Sequence, residues 1–201
     1  NPKPIIKLLK DMPEEFKSSA KNAVSLIQEA IENDVSVVIH GDYDADGICA
    51  TAILGRVLRE ELGYKKAFLF IPNRFDHGYG LSKSSVDESW EKLEEKFEDI
   101  NKPLLITVDS GITSVDEVEY AKQKGFDVII TDHHQKPENL PEAKAIVWTD
   151  QMVGAGIAWT LGKLLRSKDK RLLGLAALAT VTDLQPLFDY NRSIVKEGLE
   201  I

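Results

Sequence analysis

The stretch Val37-Val38-Ile39-His40-Gly41-Asp42-Tyr43-Asp44-Ala45-Asp46-Gly47 joins a short apolar run to a dense group of acids. Residues 36–40 are mostly β-branched and lie between Asn33-Asp34 and Gly41, which predicts a buried strand. Residues 47–62 then show apolar side chains at helical spacing. The sequence therefore predicts a strand, an acidic loop and a helix in direct succession.

The same alternation continues along the rest of the chain. Further strands are predicted over 67–71, 104–108 and 127–131, with a short fifth strand over 145–147. Helices are predicted over 13–31, 83–97, 115–124, 153–166 and 172–182. This order indicates an α/β fold of three layers, a mainly parallel β-sheet flanked by helices on both faces. We expect residues 1–201 to form a single domain, in which 1–33 are a helical lead-in.

The composition is typical of a globular domain and bears on its cellular location. A hydrophobic content of 43% over 201 residues is sufficient for one core. The single cysteine, Cys49, excludes an internal disulfide and suits a reducing, cytoplasmic location. No apolar run reaches the roughly 18 residues of a membrane helix, so we expect no membrane contact. The net charge of −8 gives no support for nucleic-acid binding, which must be argued from a site.

Acidic and imidazole groups follow several of the predicted strands. Asp109 comes directly after the third strand, Asp132-His133-His134 ends the fourth, and Asp183 closes the apolar helix over 172–182. A parallel sheet brings the carboxyl ends of its strands to one edge. Crowded carboxylates repel one another unless a cation neutralises them. Asp and His without Cys suit manganese or magnesium better than structural zinc, and two such ions could clamp a phosphoryl displacement.

Each of these elements also has a more ordinary interpretation. Residues 42–47 match the start of an EF-hand calcium loop, but position twelve of that loop is Ile53 instead of Glu, and a strand precedes it. His133-His134 alone could be a surface pair, and Asp109 alone could belong to a turn. The metal centre is favoured because all of these groups occur together at strand ends.

Two glycine pairs, Gly78-Tyr79-Gly80 and Gly154-Ala155-Gly156, could belong to dinucleotide-binding turns. Neither forms a Gly-x-Gly-x-x-Gly motif directly after a strand, so the signal is weak. Gly154 and Gly156 are instead predicted to permit close backbone packing at the start of a helix.

These motifs resemble those of the DHH phosphoesterase superfamily, in particular its RecJ-like branch. Asp132-His133-His134 matches the motif that names the family. Residues 40–47 resemble the first motif of the RecJ-like branch, 108–112 the second and 179–187 the fourth. The motifs keep the family's order over most of the chain. The sequence lacks an initiator Met and stops after these motifs, so we expect a piece of a longer protein, without the companion DHHA1 domain.

The resemblance implies two divalent metal ions, with manganese the expected ion and magnesium the alternative. One ion would be held by His40, Asp44 and Asp109. The other would be held by Asp46, Asp109, His133 and Asp183, so that Asp109 bridges the two and is a catalytic residue.

The resemblance also implies roles outside the metal ligands. His134 would be a catalytic residue that contacts the scissile phosphate, and Arg74 would bind the substrate through a phosphate. Asp132 would orient a neighbouring imidazole. Asp42 belongs to the first motif, with no definite role.

The implied activity is metal-dependent phosphodiester hydrolysis by a single-stranded-DNA exonuclease, in the 5′ to 3′ direction. Two alternatives stay open at this point. The same chemistry could act on oligoribonucleotides or on small nucleotides such as phosphoadenosine phosphate or a cyclic dinucleotide. A DHH fold could also serve as a replication scaffold. Expected partners are single-stranded nucleic acid and replication or repair proteins, with no membrane.

Overall fold

Five parallel strands form the one sheet of this computed structural model, which describes residues 3–98 and 100–201. Their order across the sheet is β2-β1-β3-β4-β5. Every neighbouring pair is parallel, which confirms the α/β prediction and its fifth strand. The strands are β1 (Val37–His40), β2 (Ala67–Phe70), β3 (Leu104–Val108), β4 (Asp127–Asp132) and β5 (Ala145–Trp148).

Helices cover both faces of the sheet, which confirms the three layers. In β1, Val37 and Ile39 belong to one buried core, whereas Val38 belongs to a second core on the other face. This alternation is the two-residue period of a pleated strand. The helices are α1 (Ile5–Asp11), α2 (Glu14–Glu32), α3 (Ala45–Gly55), α4 (Arg74–His77), α5 (Lys83–Lys96), α6 (Val115–Lys124), α7 (Gly154–Leu164), α8 (Arg171–Thr182) and α9 (Asp189–Gly198).

The helical lead-in predicted over 1–33 consists of α1 and α2, with residues 1 and 2 outside the described residues. The break that separates α1 from α2 and the short helix α4 were not predicted. The helix predicted over 47–62 is α-helical as far as Gly55 and π-helical over Arg56–Glu61. Glu61 accepts the backbone N–H of Lys168 at 2.8 Å, so a tertiary contact holds this segment. Local sequence periodicity does not report such a contact.

The register of the sheet brings the acidic strand ends together. His40 at the end of β1 pairs with Thr107 of β3, and Val108 at the end of β3 pairs with Thr131 of β4. The loops that follow β1, β3 and β4 therefore leave the same edge of the sheet. Among residues 3–98 and 100–201, no helix is both long enough and apolar enough to cross a membrane.

Candidate metal centre

Three carboxylates converge on the His133 imidazole at this edge. The Nε2 atom of His133 lies 3.1 Å from Asp109 Oδ1, 3.5 Å from Asp46 Oδ2 and 3.8 Å from Asp183 Oδ2. The four residues come from the loop after β4, the loop after β3, the first turn of α3 and the end of α8. The fold thus gathers four of the six predicted metal ligands into one cluster.

Asp109 lies in a tight backbone turn. Its φ is 60°, in the left-handed region, where Asp is one of the better tolerated residues. On the other side it faces the start of α7, where an added Cβ on Gly154 would lie 2.8 Å from Asp109 Oδ1. The close packing predicted for Gly154 is therefore confirmed, and the space is taken up by Asp109, whose Cβ would be nearest at 2.6 Å.

The carboxylate of Asp46 is fixed by the amino terminus of α7. Its Oδ2 accepts the N–H of Gly154 and its Oδ1 accepts the N–H of Ala155, both at 2.7 Å. The amino end of a helix favours a negative charge. Burial nevertheless dominates and raises the pKa of Asp46 above its ordinary value. The side chain is rigidly placed but poorly solvated for a carboxylate.

Asp109 is in a still less favourable position for a charge. Burial, and after it the neighbouring Asp46 carboxylate, raises the pKa of Asp109 well above the ordinary value. Among the described residues, its buried Oδ1 has no hydrogen-bond partner, although His133 Nε2 lies 3.1 Å away. An orphaned acceptor in a buried acidic cluster fits a divalent cation, for which carboxylate oxygen and imidazole nitrogen are suitable ligands.

His40 and Asp44 take other positions in this structure. Among the described residues, two groups have metal-ligating atoms within 4.8 Å of one another. One group is Asp46, His133 and Asp183, and the other is Asp109, His133 and His134. Neither group includes His40 or Asp44. The Asp44 carboxylate caps α3 by accepting the N–H of Gly47 at 2.9 Å. Asp44 is still near enough for its charge to contribute to the raised pKa of Asp109.

The His40 ring is buried and only partly satisfied. Its Nε2 lies 2.9 Å from the hydroxyl of Ser85, and its Nδ1 has no hydrogen-bond partner within the part of the chain that the structure describes. Burial lowers the pKa of His40 to about 4, so the ring is neutral near pH 7. Neutral imidazole is the form that binds metal. Ser85 was not predicted, since it lies on α5 and nothing in its local sequence links it to β1.

Asp132 organises the turn that carries both histidines. Its Oδ1 accepts the His134 Nδ1–H at 2.7 Å and the backbone N–H groups of His133 and His134 at 2.7 and 3.0 Å, while its Oδ2 accepts the N–H of Ile112 at 2.9 Å. The hydrogen bond that His134 donates to Asp132 is the main cause that raises the pKa of His134. Since Asp132 engages Nδ1, Nε2 is the ring atom of His134 left to face a ligand.

Trp148 supports the same turn and was not predicted. Its indole Nε1 donates to the backbone oxygen of His134 at 2.7 Å. The ammonium of Lys136 lies 4.2 Å from the centre of the indole ring. In the structure, Trp148 ends β5 and pairs in register with Asp132. The sequence signal that could have found it is its position directly after the strand predicted over 145–147.

Arg74 lies outside the acidic cluster, at the start of α4. Its Nη2 donates to the Tyr79 hydroxyl at 2.7 Å, and its guanidinium lies 5.4 and 5.1 Å from the ring centres of Tyr43 and Tyr79. Asp42, beside Tyr43, accepts the Tyr43 N–H at 2.7 Å, and burial raises its pKa. Arg74 is thus held by aromatic rings, one of which belongs to the acidic loop itself.

Comparison with known proteins agrees with this geometry. Residues 36–180 match the DHH family, N-terminal domain. The single-stranded-DNA-specific exonuclease RecJ of Bacillus subtilis (strain 168) is 39% identical over 190 residues, and that of Escherichia coli (strain K12) is 33% identical over 213 residues. The two alignments cover 90% and 94% of this chain but 23% and 35% of those proteins, so the chain spans about a quarter to a third of their length.

Solved structures give the same result. A crystal structure of exonuclease RecJ bound to manganese superposes with a TM-score of 0.78 at 34% identity, covering 94% of this chain and 48% of that one. RecJ from Thermus thermophilus in complex with Mn2+ gives a TM-score of 0.72, also at 34% identity, over 90% of this chain and 26% of that one. Since the family match over residues 36–180 contains all five strands and includes Asp46, Asp109 and His133, this chain belongs to the DHH family.

Proposed function

We propose that this chain is the catalytic domain of a metal-dependent exonuclease that hydrolyses single-stranded DNA from the 5′ end. The observation that carries the proposal is the largely buried cluster of Asp46, Asp109, His133 and Asp183. In this cluster an Asp109 carboxylate oxygen, with no hydrogen-bond partner among the described residues, lies beside the His133 imidazole. The substrate is proposed from the similarity to single-stranded-DNA-specific RecJ exonucleases, and the direction from the resemblance of the motifs to the RecJ-like branch.

The ligand set supports binding of two divalent ions, with manganese expected and magnesium as the alternative. One ion would be held by Asp46, His133 and Asp183. The other would be held by His40 and Asp44, and Asp109 would be a ligand of both ions. RecJ structures in complex with Mn2+ and with Mg2+ support both choices of metal. When bound, such ions acidify a water molecule and offset negative charge on a phosphodiester.

The protein's own groups would hold and polarise the substrate. His134 is more than half exposed, and Asp132 raises its pKa, which favours a protonated ring beside the acidic cluster. A protonated ring can donate a hydrogen bond to the scissile phosphate as negative charge develops there. Arg74 offers a planar guanidinium for a second phosphate, and its contacts with Tyr43 and Tyr79 limit its motion.

The acidic net charge of −8 is compatible with this role, because bound metal ions would supply positive charge for a DNA phosphate. The relatives are longer than this chain, and segments outside the matched region would add DNA contacts. Replication or repair proteins are proposed partners on the same similarity to RecJ. The presence of every expected ligand type favours a retained enzyme over a scaffold.

The proposal is tested by digesting single-stranded DNA labelled at either end, with RNA and dinucleotide substrates in parallel. We expect manganese-dependent release of mononucleotides from the 5′ end and no release in chelator. Asp109→Ala should be inactive, whereas Asp116→Ala, an exposed acid in the first turn of α6, should behave as wild type. Cleavage of RNA or dinucleotides alone would reassign the substrate, and cleavage that survives chelator would contradict the metal-dependent mechanism.

A further inference from the structure

A cavity of about 380 Å³ opens beside the metal centre, between the loop after β5 and the segment that joins α8 to α9. Its size is within the range of small-molecule sites, roughly 300–1,000 Å³. The lining includes Asp150, Gln151, Gln185, Phe188, Asp189 and Asn191. Gln185 connects the cavity to the centre, because its Nε2 donates to Asp183 Oδ2 at 2.8 Å.

Phe188, which lines the cavity, is an apolar side chain that is 76% exposed. Leu184, the residue before the lining residue Gln185, is 88% exposed. Leu184 has a φ of 54°, a left-handed conformation that is strained for leucine. Strained backbone of this kind concentrates at ligand sites. Leu184 directly follows Asp183, so the strain lies next to a proposed metal ligand.

The polar groups of the lining favour a neutral, planar ligand over an anion. Asp150 and Asp189 would repel a phosphate. The amides of Gln151 and Gln185 can exchange hydrogen bonds with a heterocycle. Asn191 lines the cavity, and its enclosed Oδ1 has no hydrogen-bond partner among the described residues, so the lining holds an acceptor without a donor.

We propose that this cavity holds a nucleobase, stacked on the Phe188 ring, of a nucleotide whose phosphate lies at the metal centre. The assignment rests on the proposed function, since it takes the ligand to be single-stranded nucleic acid. Aromatic rings accept every base by stacking, which suits an enzyme without sequence preference. A second cavity, of about 490 Å³, is lined by Val35, Leu104 and Asp127 and lies at the opposite end of the strands, away from the acids.

The assignment is tested by fluorescence anisotropy with a short labelled deoxyadenosine oligomer and an abasic oligomer of equal length. Calcium replaces manganese, and the integrity of the DNA is checked on a gel. Adenine is the probe because its amino group is a donor for the acceptors of the lining. We expect the wild-type chain to bind the adenine oligomer roughly tenfold more tightly than the abasic one.

Phe188→Ala should remove this difference between the two oligomers, and Phe188→Trp should keep it. Leu199→Ala removes another exposed apolar side chain, 77% exposed at the end of α9, and should leave it unchanged. Equal or absent binding of the two oligomers by the wild type, or a difference that persists in Phe188→Ala, would overturn the assignment. Base-dependent binding without any metal-dependent cleavage would overturn the proposed function and leave the cavity assignment standing.

Discussion

Gly154 and Asp109 are packed so closely that a Cβ on Gly154 would lie 2.6 Å from the Asp109 Cβ. Real Cβ atoms do not approach this closely, so one of the two backbones would have to move. The same Gly154 donates its N–H to Asp46. The start of α7 therefore fixes two carboxylates of the proposed metal centre at once.

Gly154→Ala should weaken manganese binding at least tenfold, because displacement of Asp109 by a fraction of an ångström disturbs the ligand geometry. The measurement is the rise of Tm with added manganese, which depends on affinity for the folded state. Gly174→Ala is the matched control, since its Cβ would meet the nearest atom, the oxygen of Gly198, at 3.5 Å. An equal manganese response in wild type and Gly154→Ala would contradict this prediction.

Asp109→Asn should change how the stability of the metal-free protein depends on pH. Because burial and Asp46 raise the folded pKa of Asp109 above the ordinary value of 3.8, folding favours its protonated form. The resulting stability is fully present below that ordinary value and is lost as pH rises through the raised folded pKa. In chelator, the Tm of the wild type should therefore fall more steeply than that of Asp109→Asn as the pH rises above the ordinary carboxyl pKa of 3.8. Parallel curves for the two proteins would contradict the assignment.

Trp148→Phe should lower kcat about fivefold, since it removes one hydrogen bond worth about 1 kcal/mol from the His134 turn. KM for the oligonucleotide and manganese affinity should not change. Trp90→Phe is a matched control, because its indole donates to Glu94 on the surface of α5, at 2.9 Å. Loss of manganese binding in Trp148→Phe would show a general structural role instead.

The strand-end acids could be predicted because they depend on two local patterns and one general rule. Apolar runs locate the strands, the residues after them follow directly in the sequence, and parallel topology places them at one edge. The approach of His133 Nε2 to Asp109 Oδ1, at 3.1 Å, follows from that reasoning. The cluster therefore needed little knowledge of side-chain packing.

The contacts that hold the cluster could not be predicted, because they join residues far apart in sequence. Asp46 accepts a hydrogen bond from the amino end of α7, 108 residues away. His40 forms a hydrogen bond with Ser85, 45 residues away. The capping contact of Asp44 is local, but the sequence is equally consistent with helix capping and with metal binding by this carboxylate. Which of these the side chain adopts depends on packing and bound ions, which the sequence pattern does not encode.

His134→Ala should lower kcat about 100-fold or more, because it removes a group that would donate a proton or a hydrogen bond to the scissile phosphate. The manganese content of the protein should not change. Content is measured by elemental analysis after gel filtration. The ring of His134 lies within reach of the ligand atoms of Asp109 and His133. Loss of manganese in His134→Ala would therefore reassign His134 as a metal ligand.

The most direct test of the central claim is calorimetric titration of manganese into the wild-type chain and into Asp109→Ala, paired with the nuclease assay. Asp109 is the proposed bridging ligand, so its loss should weaken both sites. We predict two manganese ions per wild-type chain, with reduced binding and no turnover in Asp109→Ala. Near-normal turnover in Asp109→Ala, or a wild-type chain that binds no manganese, would contradict a two-ion centre built on Asp109.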